Sequence, residues 1–154
     1  MDTSYQPKVR LQQGGDELDI AAGGYMRNQG YDIRAQAAPV AKTVAVTLTA
    51  AELLNGIITG THAAGATAAY TLPTGTLTDA ALTMEVDDSF DWHLINLSAA
   101  ATDTITLTAG AGHTIVGNPI VQSSHSTTGG IYGNSSHWRT RKTAANTFVT
   151  YRLA

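Results

Sequence analysis

The sequence predicts an all-β protein: an antiparallel β-sandwich or jelly-roll-like barrel over residues 43–154, with one or two short helices, preceded by an extended N-terminal arm over residues 1–42. Three observations carry this prediction. From residue 89 onward, short runs rich in β-branched and aromatic residues ("SFDWHLINL", "DTITLTA", "HTIVG", "IVQSS", "GGIYG", "HWRTRK", "NTFVTYRL") are separated by Gly, Asn, Ser and Asp, the spacing expected of a sandwich or barrel. Within these runs apolar residues recur at every second position: Phe90, Trp92 and Leu94 share one face, and Ile105 and Leu107 point away from Thr104, Thr106 and Thr108. Before residue 33 the only strong aliphatics are Val9, Leu11, Leu18 and Ile20, too few to build a core of their own.

Taken in order, the arm holds two alternating stretches, "KVRLQ" and "ELDIA", broken by Gly14 and Gly15 and closed by Gly23 and Gly24. Short strands with one thin apolar edge are unstable alone. They are expected to gain their structure by lying on another surface, with Val9, Leu11, Leu18 and Ile20 as the contact residues. The plain alternatives are a disordered leader or an edge hairpin of the main domain. Next, "VAVTLT" alternates as a strand. "TAAELLNG" then offers Thr49 as an N-cap with Glu52 three residues on, and Asn55-Gly56 as a stop. "IITGTHAAGATAAYTLPTG" reads as strand, glycine-rich loop and strand ending at Pro73, and "TDAALTM" as a brief helix capped by Thr78 or Asp79. The closing stretch, "HWRTRKTAANTFVTYRL", reads as two strands around the turn "TAAN".

Composition narrows the function. A chain of 154 residues can bury one core, but the apolar fraction of 43% leans on alanine and aromatics are only 6%, so that core is lean. Charged residues are 14%, well under the usual quarter. Such a surface suits repeated contact with identical neighbours. The net charge of −3 leaves no general basic footprint for nucleic acid. Charge is nevertheless segregated. Between Thr43 and His137 every full charge is acidic, whereas Arg139, Arg141, Lys142 and Arg152 follow with no acid among them. The absence of cysteine excludes disulfides and thiolate metal sites. "MDTSYQPKVR" has no apolar signal core, and no run of 18 apolar residues occurs. Neither a membrane partner nor secretion by signal peptide is expected.

Candidate chemistry is sparse. His62, His93, His113, His125 and His137 show no close ligand spacing. Glu85, Asp87, Asp88 and Asp91 crowd into "EVDDSFD" but lack the glycine and closing glutamate of a calcium loop. A solvated acidic turn, or ion pairs with the basic tail, accounts for them. "TAGAGHTIVGN" is followed by a strand rather than the helix a phosphate loop needs. No serine sits in a nucleophile elbow. No catalytic residue, cofactor or metal is therefore expected, and the chain is not read as an enzyme. In the closing hairpin Arg139, Arg141 and Arg152 alternate with Trp138, Phe148 and Tyr151. Stacking on nucleic acid is one reading. The favoured one makes Trp138, Phe148 and Tyr151 core or interface, with the arginines paired to Glu85, Asp87, Asp88 or Asp91.

"QPKVRLQQGGDEL", "SFDWHLINLSAAATDTITLTAGAGHTIVGN" and "WRTRKTAANTFVTYRL" together resemble small virion proteins of tailed bacteriophages, in particular capsid decoration (cement or head-fibre-like) proteins. The resemblance implies a β-rich domain, often trimeric, on the outside of the shell, clamping neighbouring major capsid subunits through its arm. It implies synthesis in the host bacterial cytoplasm, partners limited to the major capsid protein and further copies of the chain, and no catalytic residue. The competing reading is a tail-fibre or spike module recognising a host glycan through exposed Tyr70, Tyr132 and Trp138.

Overall fold

The computed structural model describes residues 9–11, 18–20, 33–100, 102–123 and 134–154. The chain divides into two units, Met1–Ala35 and Gln36–Ala154. In the first, β1 (Val9–Leu11) and β2 (Leu18–Ile20) form in the two stretches expected to be strands and pair antiparallel with each other. Val9 stands opposite Ile20, Leu11 opposite Leu18, and Arg10 opposite Asp19.

The second unit contains two sheets. The larger has six strands in the order β3 (Val40–Lys42), β5 (Ile57–Gly60), β7 (Ser89–Asn96), β11 (Ser135–Ala144), β12 (Thr147–Arg152) and β9 (His113–Val116). The smaller has four: β10 (Ile120–Gln122), β8 (Thr104–Thr108), β6 (Thr67–Thr71) and β4 (Val46–Thr47). Helix α1 (Ala50–Leu54) joins β4 to β5, and α2 (Gly75–Ala81) joins β6 to β7. The boundary between the units falls before residue 42, because Val40–Lys42 pairs with β5 and belongs to the larger sheet.

The expectation of antiparallel sheets is corrected: both sheets are mixed. From β3 to β8 successive strands alternate between the two sheets. Each return to the same sheet therefore arrives in the same direction, and β3, β5 and β7 run parallel, as do β4, β6 and β8. Antiparallel pairing enters only with the later strands, where β10 pairs with β8 and β11 with both β7 and β12. β9 then lies parallel to β12 at the outer edge. One face of each strand still meets the opposite sheet, so the alternating pattern of the sequence survives even though its usual antiparallel meaning does not.

One apolar cluster takes residues from both sheets: Ile58, Trp92, Leu94 and Trp138 from the larger, Tyr70, Ile105, Leu107 and Val121 from the smaller. Its centre is the pair Trp92 and Trp138, directly opposite in β7 and β11, with ring centroids 5.8 Å apart and planes 19° apart. Both indoles are fully buried, so each N–H needs an acceptor. Trp92 Nε1 donates to Thr140 Oγ1 at 3.1 Å, and Trp138 Nε1 to Ser136 Oγ at 2.7 Å.

The connecting elements follow local chemistry closely. The capping box at α1 is complete: the Glu52 N–H donates to Thr49 Oγ1, and the Thr49 N–H to Glu52 Oε2. At α2 the expected cap is corrected. The helix starts at Gly75 with Thr74 as N-cap, and Thr78 lies buried inside it, donating to the Thr74 carbonyl. "VAVTLT" yields only the two residues Val46–Thr47 as strand. The "GGIYG" run lies outside the described residues.

Candidate functional site

The closing hairpin, β11 and β12, is the part of the second unit that gathers most of the singled-out residues. Its turn falls at Ala145-Asn146, where Asn146 adopts φ 54°. Trp138 and Phe148 point inward and are fully buried. On the other face of the same strands stand Arg139, Arg141 and Tyr151, the last half-buried. The alternation of the sequence thus becomes a division between core and outer surface.

Each cation of the hairpin is engaged. Arg139 grips Asp91, its cross-strand neighbour, with two bonds, Nε to Oδ1 at 2.6 Å and Nη2 to Oδ2 at 2.8 Å. The hydrogen bonds from Arg139 hold the Asp91 carboxyl below the usual carboxylate range, and in return Arg139 is raised. Arg141 pairs with Asp87, which sits at φ 81°. Lys142 Nζ bonds Asp79 Oδ1 at 2.5 Å and the Met84 carbonyl at 2.7 Å, and it lowers the Asp79 pKa. Arg152 donates to the Asn118 and Ile120 carbonyls and lies 5.7 Å from the centre of the Trp138 ring.

This network answers two candidate readings together. The acidic run is a turn whose Asp87 and Asp91 face arginines, while Asp88 Oδ2 accepts the Glu85 N–H. All four hairpin cations have protein partners, as the ion-pair reading expects for the arginines facing the acidic run. Among the described residues, no three His, Cys, Asp or Glu side chains converge to hold a metal ion. Of the aromatics proposed for a glycan platform, Tyr70 and Trp138 are fully buried, and Tyr132 lies outside the described residues.

Several residues that hold the site in place carry no motif. Asp103 is fully buried, and its carboxylate accepts the Gly65, Ala66 and Ala100 N–H groups at 2.6, 3.1 and 3.3 Å. A buried carboxylate is tolerable only with such a full set of donors. His113 is buried against Phe148, with ring centroids 5.1 Å apart, and its Nε2 meets Thr78 Oγ1 at 3.2 Å. Desolvation pushes its pKa down to about 4. Tyr70 is pushed up to about 12 by burial, and its hydroxyl meets His62 Nε2 at 2.9 Å. Of the other histidines, His93 and His137 stack on the outer face of the larger sheet, and His125 lies outside the described residues.

A groove of about 270 Å³ opens beside α1, lined chiefly by Leu54, Leu82, Met84 and Phe90, with Asp88 and Ser89 among its polar groups. Leu54, Leu77 and Val86 are each about half exposed or more. The sequence marked Asp88 and Phe90 but not the groove, because Leu54, Leu82, Met84 and Phe90 come from separate segments that meet only in the fold.

No family model matches the chain, and neither a curated protein nor a solved structure matches it.

Proposed function

We propose that this chain is a structural virion protein that binds the outside of a bacteriophage capsid and stabilises it by clamping neighbouring major capsid subunits. The observation that carries the reading is the β1–β2 ribbon. It pairs Val9 with Ile20 and Leu11 with Leu18, and a two-stranded ribbon is marginally stable by itself and gains stability when a further layer packs on it. A partner's surface supplies the layer, and the resemblance to decoration proteins names that partner as the shell.

Three further features support it. The low charge and lean core suit a protein stabilised by assembly, and a homo-oligomer, a trimer by the resemblance, covers more of its exposed aliphatics. The hairpin arginines are committed to ion pairs that stiffen the second unit rather than to an anionic ligand. Two sheets sharing one apolar cluster agree with a sandwich-like or jelly-roll-like domain. The mechanism is mass action: a protein that binds only the mature shell stabilises it by about 2.7 kcal/mol per site at a hundredfold excess over Kd. The glycan reading is weakened by the burial of Tyr70 and Trp138.

The test is deletion of residues 1–42 or 1–35. The shorter deletion should leave a folded oligomer, trimeric by sedimentation, that no longer decorates capsids or protects them from heat. Decoration equal to that of the full chain would overturn the clamp. The longer deletion removes β3 as well, so a fall in its thermal midpoint alone measures that strand's share in the sheet.

A further inference from the structure

β5 meets β7 only from the pair Ile57 and His93 onward. Residues 89–92, the first part of β7, pair with β11 on one side and have no neighbouring strand on the other among the described residues. Along an antiparallel strand the backbone groups point alternately to its two sides. The Asn96 N–H donates to the Asn134 carbonyl and the His93 N–H to the Gly56 carbonyl, so even-numbered residues of β7 bond toward β11 and odd-numbered ones toward β5. Ser89 and Asp91 therefore turn their backbone N–H and C=O groups to an open edge, and both residues are exposed.

The groove beside α1 opens at the same place, since Ser89 and Phe90 line it together with Leu54, Leu82 and Met84. Its volume of about 270 Å³ lies below the usual range of small-molecule sites and suits one large side chain. Its border is acidic. Asp88 lines the groove without a cation, its Oδ2 accepting the Glu85 N–H, and the Glu85 carboxylate has no partner among the described residues. Asp87 in the same turn is paired with Arg141, and Lys142 with Asp79. An open strand edge, an apolar socket and two carboxylates without a cation thus lie together.

We propose that this slot takes an extended segment of a partner protein, one that carries a large apolar side chain beside a Lys or Arg. The segment's backbone adds to the edge at residues 89–91, its apolar side chain enters between Leu54, Leu82, Met84 and Phe90, and its cation meets Asp88 and Glu85. The second unit of another copy does not fit this chemistry, because Lys42, Arg139, Arg141, Lys142 and Arg152, its only Lys and Arg residues, all have partners of their own. The slot lies wholly within the second unit, so its occupancy does not depend on the ribbon or on the capsid reading.

The test titrates the full chain with the capped peptide Thr-Lys-Phe-Lys-Thr and follows amide NMR signals. Saturable shifts are expected at residues 54–56 and 82–91, weakening as salt is added. Thr-Glu-Phe-Glu-Thr and Thr-Lys-Ser-Lys-Thr should each bind about fivefold more weakly or worse. Of two versions of the first peptide N-methylated at alternate amides, one should lose binding and the other keep it, because only one set of amides faces the strand edge. Glu85→Lys and Leu54→Lys, both at exposed positions, should weaken binding with thermal midpoints near that of the wild type. No saturable shifts with the first peptide, equal binding of the acidic one, or shifts centred elsewhere would overturn the proposal.

Discussion

His113 shows how much one side chain can govern. It sits on edge strand β9 with its ring against Phe148, and Nδ1 is buried without a hydrogen-bond partner. Its ordinary value of 6.5 falls to about 4 through desolvation. The unfolded chain therefore binds the proton between these two values while the folded one does not, and stability rises with pH across that window. It is fully present above about pH 6.5 and drains away as pH drops toward 4, by about 3 kcal/mol in all. Urea denaturation at steps from pH 7 to pH 4 should show this loss in the wild type and a much flatter profile in His113→Gln. Equal slopes would show that the ring is solvated. None of this was legible beforehand, since a histidine in "HTIVG" looks the same on either face of a strand. The pairing of Arg139 and Arg141 with the "EVDDSFD" acids was legible, because segregated opposite charges within one small chain have few other places to go. Asp103 was not, because its donors, Gly65 and Ala66, lie far away in the sequence.

Among the elements, α2 depends on close approach rather than on its caps alone. A Cβ at Gly75 would collide with the Asn146 carbonyl oxygen, and Gly112 presses on the same spot at φ 82°. The first turn of the helix is thus docked backbone to backbone on the turn of the closing hairpin, where Asp79 Oδ2 also accepts the Asn146 N–H. Gly75→Ala should destabilise by about 2–3 kcal/mol, since the atom in the way is main chain and cannot swing aside. Calorimetry should find a thermal midpoint lower by about 5–10 °C; an unchanged midpoint would mean that the helix slides at no cost. The α1 cap could be foreseen because Thr49 and Glu52 satisfy each other within four residues. The α2 cap could not, because Thr74 and Thr78 both qualify locally and only the docking of Gly75 chooses between them.

Across the whole molecule, the alternation of strands was readable and their direction was not. A strand half-buried by an opposing sheet carries the same every-other-residue pattern whether its neighbours run parallel or antiparallel. What decides direction is the chain's passage from sheet to sheet, and no local signal records it. That winding also bears on how the protein comes into being. β7 cannot complete its pairing until β11 exists, and Trp92 has no stacking partner before residue 138 is made. β11 and β12, made after every other strand of the larger sheet, therefore occupy its interior, between β7 and β9. A chain ending at residue 134 should lack a cooperative melting transition and the near-ultraviolet signal of fixed tryptophans; a folded fragment would refute this. During synthesis the larger sheet stays unclosed until β11 and β12 have emerged. Emergence of the β11–β12 hairpin, rather than of any earlier segment, is then the event that closes the larger sheet, and until it comes each nascent copy carries open strand edges that can meet those of its neighbours.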